Sequence, residues 1–101
     1  MSVSRDELMA AIAPVEHPEI AVTLVDLGMI FDAAVQGETA NIAMALPMLG
    51  IPDVVRNALV ESIRKPVEDL GLKLNVQFFE MAPEVRDRFF ELSRANWKGS
   101  I

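Results

Sequence analysis

The sequence predicts a small α+β protein with element order αββαβα, a three-stranded sheet with helices packed mainly on one face. Alternating apolar residues mark three strands, and apolar stripes at helical spacing behind start signals mark three helices. Each strand pattern also has one strongly apolar face and one mixed face, which suits a sheet covered on one side and partly open on the other.

Ser4, with Glu7 three residues on, reads as a capping box, and Leu8, Ala11 and Ile12 share a face. A short helix from about Arg5 to Ala13 follows, stopped by Pro14 and Pro18. Residues Ile20 to Val35 are mostly apolar and rich in β-branched residues, and Val25, Leu27, Met29, Phe31, Ala33 and Val35 alternate without a break. This stretch reads as one long strand with a fully buried face. Gln36-Gly37-Glu38 is a tight turn into a second strand, Thr39 to Leu46, and the two form an antiparallel hairpin. Pro52 opens the second helix, whose stripe is Val55, Ala58, Leu59, Ser62 and Ile63. Pro66 must kink or restart that helix, because it cannot donate to the Ser62 carbonyl. Leu72, Leu74, Val76 and Phe78 mark the third strand. Pro83 starts a last helix with Val85, Phe89 and Leu92 at i, i+4 and i+7, and the tail from Trp97 to Ile101 frays or docks.

The 101 residues suit one domain, 1–101, with a core over about 5–93. Hydrophobic residues at 51% argue against disorder, and no apolar run approaches the roughly 20 residues of a membrane span. The polar start, Met1 to Glu7, is no secretory signal, so a cytoplasmic location is expected. A net charge of −6 disfavours nucleic acid. With no cysteine and one histidine, the chain offers no disulfide, thiolate metal site, persulfide carrier or His-rich metal site.

Among candidate sites, the segment Leu46 to Pro52 joins a strand to a helix start. Its Met48, Leu49 and Ile51 read first as a cap on the core, and second as an apolar knuckle that docks a partner or another copy. Gly50 permits a bend there, and Asp53 already supplies negative charge to the helix start, which argues against phosphate binding. His17 and Glu19, with Asp26 and Asp32, form the one cluster offering imidazole and carboxylates; a surface turn is the plainer reading than a weak metal site. Asp26, just before Gly28, is expected to accept backbone hydrogen bonds. Ser62 and Ser93 have no histidine at a useful spacing, so a hydrolase triad is not expected.

Over Leu8 to Phe90 the sequence resembles the MIP18-like family, also called the domain-of-unknown-function-59 family, which includes iron–sulfur assembly factors and PaaD-like proteins. The family's Asp-Pro-Glu segment is similar to His17-Pro18-Glu19, and its Val-Asp-Leu-Gly strand stands as Val25-Asp26-Leu27-Gly28. Its loop ending in Gly-Cys-Pro is Gly50-Ile51-Pro52 here, and Ala45 and Pro47 stand where hydroxyl residues are usual. The resemblance implies Asp26, Gly28, Gly50 and Pro52 as scaffold. Ile51 occupies the position of the reactive thiol, so cluster chemistry does not carry over.

The expected function is therefore a non-catalytic accessory protein that assists iron–sulfur or other metalloenzyme maturation. Its partner would be a metalloenzyme or an assembly factor, with no cofactor of its own. Two alternatives stand beside it: a small metal- or ligand-binding protein or enzyme using Asp26, Glu19 and His17, and a homo-oligomeric structural component, with a homodimer as the candidate assembly.

Overall fold

The structure is a computed structural model that describes residues 3–98, and the expectations for Met1, Ser2 and the last three residues lie outside it. The order is α1 (Arg5–Ile12), β1 (Ile30–Gln36), β2 (Thr39–Leu46), α2 (Asp53–Glu68), β3 (Lys73–Glu80) and α3 (Pro83–Asn96). It is the expected αββαβα arrangement. The capping box closes the start of α1: the Glu7 N–H donates to Ser4 Oγ at 3.1 Å, and the Ser4 N–H donates to Glu7 Oε1 at 3.2 Å. Gly37 takes φ +61° and lets β1 turn straight into β2.

The sheet has the order β1-β2-β3. β1 runs antiparallel to β2, while β3 runs parallel to it, because α2 carries the chain back across the sheet between them. The alternation of β2 is clean. Ala40, Ile42, Met44 and Leu46 are fully buried and meet Leu8 and Ile12 of α1 and Leu59, Ile63 and Val67 of α2 in one cluster. Thr39, Asn41 and Ala43 face the thinly covered side. There Asn41 Nδ2 donates to Gln36 Oε1 and Asn75 Nδ2 donates to Asn41 Oδ1, so an amide ladder crosses the open face.

Four expectations need correction. The long strand from Ile20 does not form: residues 20–28 are bends and turns, tied down by isolated bridges, and the strand begins only at Ile30. Gly28 at φ +77° ends that turn, and a left-handed residue cannot continue a strand. Secondly, Val25 and Phe31 are exposed, whereas Leu27, Met29 and Ala33 are buried, so the alternation was only partly a buried face. Thirdly, α2 runs through Pro66 to Glu68. Pro66 lies in the last turn, so the donor it lacks weakens only the helix end. Lastly, Pro52 is the N-cap of α2 and Asp53 its first residue.

Candidate functional site

Because β2 and β3 are parallel, both deliver their carboxyl ends to the same edge of the sheet, and antiparallel β1 starts there. Three connecting segments gather at that end: Gly28 to Phe31, Pro47 to Pro52, and Glu80 to Val85. The region beyond the carboxyl ends of strands is where sheets with crossover helices place ligands.

The strand register slips by one residue between Ile30 and Asp32, leaving Phe31 as the extra residue of a bulge. A bulge re-aims its side chain, and Phe31 is left 72% exposed. Its ring centre lies 6.0 Å from that of Phe79, itself 44% exposed. Together with Gly28, Ala45, Met81 and Val85 they line an apolar groove of about 250 Å³, with Glu80 at its margin. Gly28 lets α3 approach: a Cβ there would stand 2.8 Å from Val85 Cγ1. Sequence reasoning missed this groove by assigning Phe31 and Val85 to the core. The signal was the apolar doublets Ile30-Phe31 and Phe78-Phe79, since adjacent residues of a strand face opposite sides.

Beside the groove the loop after β2 divides its apolar residues. Pro47 is buried, and Ile51 is half-buried against the core. Met48 and Leu49 are each 49% exposed. The loop thus fits both readings: Ile51 caps the core, and Met48 and Leu49 form the knuckle. Gly50 and Pro52 are exposed. The Pro52 carbonyl accepts from the N–H groups of Val55 and Arg56 at 3.0 and 3.2 Å, closing the first turn of α2. Asp53 in that turn pairs with Arg56 at 3.3 Å. The Arg56 guanidinium also stands 5.9 Å from the Phe78 ring centre, within range of a cation–π contact.

The second motif segment is built differently. His17 is only 6% exposed, which corrects the surface-turn reading. Its Nδ1 accepts from the Glu19 N–H at 3.0 Å, and its ring stands edge-on to Phe89. Burial first, and the charge of Lys98 second, lower the His17 pKa to about 4. The imidazole is therefore neutral at ordinary pH. The chain end locks this corner: Ala21 N–H donates to the Asn96 carbonyl, Lys98 N–H donates to the Glu19 carbonyl, and Lys98 Nζ pairs with Glu16 at 3.4 Å. Trp97 forms a bridge with Ile20 there and stays 47% exposed, so it docks the tail through its backbone.

Asp26 does not accept backbone hydrogen bonds as expected. It lies exposed in a turn, where its own N–H donates to Thr23 Oγ1 at 3.1 Å. Asp32 is engaged elsewhere, with Arg5 at 3.6 Å and with the Ala33 N–H at 2.9 Å. His17 and Glu19 share a turn, but Asp26 and Asp32 do not join them. Among the described residues no group of three or more His, Asp or Glu side chains is placed to hold a metal ion. No helix of the structure is long and apolar enough to cross a membrane.

Comparison with known proteins agrees with this geometry. The family model described as "Iron-sulfur cluster assembly protein" matches residues 5–78. An iron–sulfur cluster carrier protein of Synechocystis is 32% identical over 68 residues, which cover 67% of this chain but 19% of that protein's length. A Bacillus anthracis structure titled as a domain of unknown function, DUF59, superposes with a TM-score of 0.59 at 21% identity, covering 88% of this chain and 91% of that one. A Mycobacterium tuberculosis protein, described as associated with Fe-S complex assembly and repair, gives 0.53 at 24% identity over 94% of this chain and 87% of its own. The last two likenesses speak for the fold.

Proposed function

We propose that this chain, which belongs to the iron–sulfur cluster assembly protein family, is a non-catalytic accessory protein that docks a metalloenzyme or an assembly factor during its maturation. In this reading it works in the cytoplasm, as one domain over residues 1–101, with no resident cofactor. One observation carries the reading: Ile51 stands where the resemblance puts a reactive thiol, and it is half-buried against the core while Met48 and Leu49 beside it are exposed. Iron–sulfur clusters are held by thiolates, with histidine as a less common substitute. This chain has no cysteine, and its one histidine is buried with Nδ1 already accepting a hydrogen bond. A cluster handled in such a complex rides on the partner. What the family's loop position retains is a stiff, apolar contact surface next to the Phe31–Phe79 groove. Both are available to bury an apolar element of a partner, which is how interfaces gain most of their affinity.

The test has two arms. Purified chain incubated anaerobically with iron and sulfide should develop no visible charge-transfer absorbance. The tagged chain isolated anaerobically from native cells should bring down an iron–sulfur protein or an assembly factor, identified by mass spectrometry, and the variant M48D/L49D should lose it. A cluster on the isolated chain that transfers to an apo-acceptor overturns the reading. So does recovery of partners that is unaffected by the double substitution.

A further inference from the structure

The two outer strands treat their free edges in opposite ways. On β1 the outward groups of Ala33 are both occupied: Arg5 Nε donates to its carbonyl at 2.8 Å, and its N–H donates to Asp32 Oδ1 at 2.9 Å. Charged side chains that occupy an edge are a common way of stopping strands from adding to it. β3 has no such guard. Lys73 N–H donates to the Glu38 carbonyl and, beyond the strand end, Met81 N–H donates to the Leu46 carbonyl, so the odd residues of β3 pair with β2. Leu74, Val76, Phe78 and Glu80 therefore turn their N–H and C=O groups outward. Among the described residues no hydrogen bond reaches them. The side chains of Leu74, Val76 and Phe78, on the helix-covered face, are only half-buried, whereas the matching row of β2 is fully buried. Both the backbone and the apolar row stop short at this edge.

We propose that a second copy of the chain completes the edge, β3 pairing antiparallel with β3 of the partner about a two-fold axis at Val76, to give a continuous six-stranded sheet. The strand is complementary to itself in this register. On the helix-covered face Val76 meets Val76 and Leu74 meets Phe78. On the open face Asn75 meets Gln77, which extends the Gln36–Asn41–Asn75 amide ladder into the second copy. The strand begins with Lys73 and ends with Glu80; in this register Lys73 lies opposite Phe79 of the second copy, one position from its Glu80, whereas parallel in-register pairing would set lysine beside lysine and glutamate beside glutamate. Sliding the register by two residues toward the carboxyl end sets Leu74 against Glu80 and Asn75 against Phe79, which breaks the match on both faces, and sliding it the other way centres the axis on Asn75 and leaves Phe79 and Glu80 beyond the paired strands. A two-fold contact is self-complementary by construction, and β3 meets that condition.

Because the chain has no cysteine, single cysteines report the register. Val76 lies opposite its own copy at about 5.5 Å between Cα atoms, inside the range a disulfide spans. Under mild oxidation V76C should cross-link to a dimer at least about tenfold faster than N75C, whose copies are offset by two residues. Light scattering on the unaltered chain should give twice the 11.1 kDa of one chain. The exposed pair N75K/Q77K sets lysine against lysine and should give a folded monomer by circular dichroism, and mixing it with N75E/Q77E should restore the dimer. An unaltered chain that stays monomeric at high concentration overturns the proposal, as do equal cross-linking of V76C and N75C or a dimer indifferent to N75K/Q77K. The accessory function stands or falls by partner recovery through Met48 and Leu49, so the two readings fail separately.

Discussion

The His17 corner and the Met48–Leu49 loop both lie in segments in which the chain resembles its family's motifs, and they are built to opposite ends. The corner is short of freedom. Its histidine is buried, its turns are closed by backbone hydrogen bonds, and residues 96–98 are tied across it. The loop is short of partners. Two prolines and a half-buried Ile51 hold it in place while Met48 and Leu49 face solvent. The corner's one imidazole is buried, and Ile51 stands in the loop where the family resemblance implies a thiol. What differs is the use left over: the corner fixes the frame, and the loop offers a surface. Substitutions in the corner should therefore cost stability, and substitutions in the loop should cost association.

The largest effect should come from Leu24, which is fully buried although it sits in a turn; its N–H donates to the Val15 carbonyl, and its carbonyl accepts from Met29. Leu24→Ala should destabilise by about 2–5 kcal/mol in denaturant unfolding, the range for a cavity in a packed core. A loss below about 1 kcal/mol would mean that the corner is not part of the core.

Acid should act next, through His17. Its folded pKa of about 4 lies below the ordinary histidine value of 6.5, so the unfolded chain takes up a proton that the folded chain refuses. Stability is full above about pH 6.5, falls as the pH drops toward 4, and levels off there, a loss of up to about 3 kcal/mol. Carboxylates titrate in the lower part of that window too, so the measurement is the difference between the chain and His17→Asn. The asparagine keeps an acceptor for the Glu19 N–H but cannot charge. The two stability–pH curves should run parallel above pH 6.5 and diverge below it; parallel curves throughout would show His17 to be open to water.

Gly28 should rank third. Gly28→Ala strains a residue at φ +77° and sets a methyl 2.8 Å from Val85 Cγ1, costing about 1–3 kcal/mol in thermal or denaturant unfolding. Adding V85A removes the collision and leaves the backbone strain, so the double variant should recover only part of the loss. Full recovery would show that packing alone selects glycine here.

Legibility in the sequence follows the same division. α1, β2 and β3 could be read closely, because a capping box and strict alternation are local signals that burial then agreed with. The turn-built stretch from Ile20 to Gly28 could not. Val25, Leu27 and Met29 alternate like a strand, but which of them is buried depends on turns closed by Thr23 and Gly28 and on the chain end arriving from residues 96–98. Phe31 was misplaced for a related reason: a bulge is a property of the pairing of two strands, and one strand's pattern does not contain it. The burial of His17 depends on Phe89 and Lys98, more than 70 positions away. The sequence singles out Met48, Leu49 and Ile51 together, yet only packing separates the residue that faces the core from the two that do not.

The smallest effect on stability, with the largest expected effect on association, belongs to the knuckle. Met48 and Leu49 are half-exposed and lie between β2 and α2, outside the regular elements. An aspartate at either position stays hydrated in the folded chain, so the desolvation cost that makes buried charges destabilising does not arise. M48D and L49D should each change unfolding stability by no more than about 0.5 kcal/mol. In the complex the same carboxylate would be carried into an apolar contact with no partner for its charge, and loss of a central anchor costs about 2 kcal/mol or more in binding. Titration against the partner recovered from native cells should therefore show weakening of about thirtyfold or more for L49D, at unchanged stability. If L49D instead unfolds the chain, the loop belongs with the corner as frame, and the apolar surface that receives a partner lies in the Phe31–Phe79 groove alone.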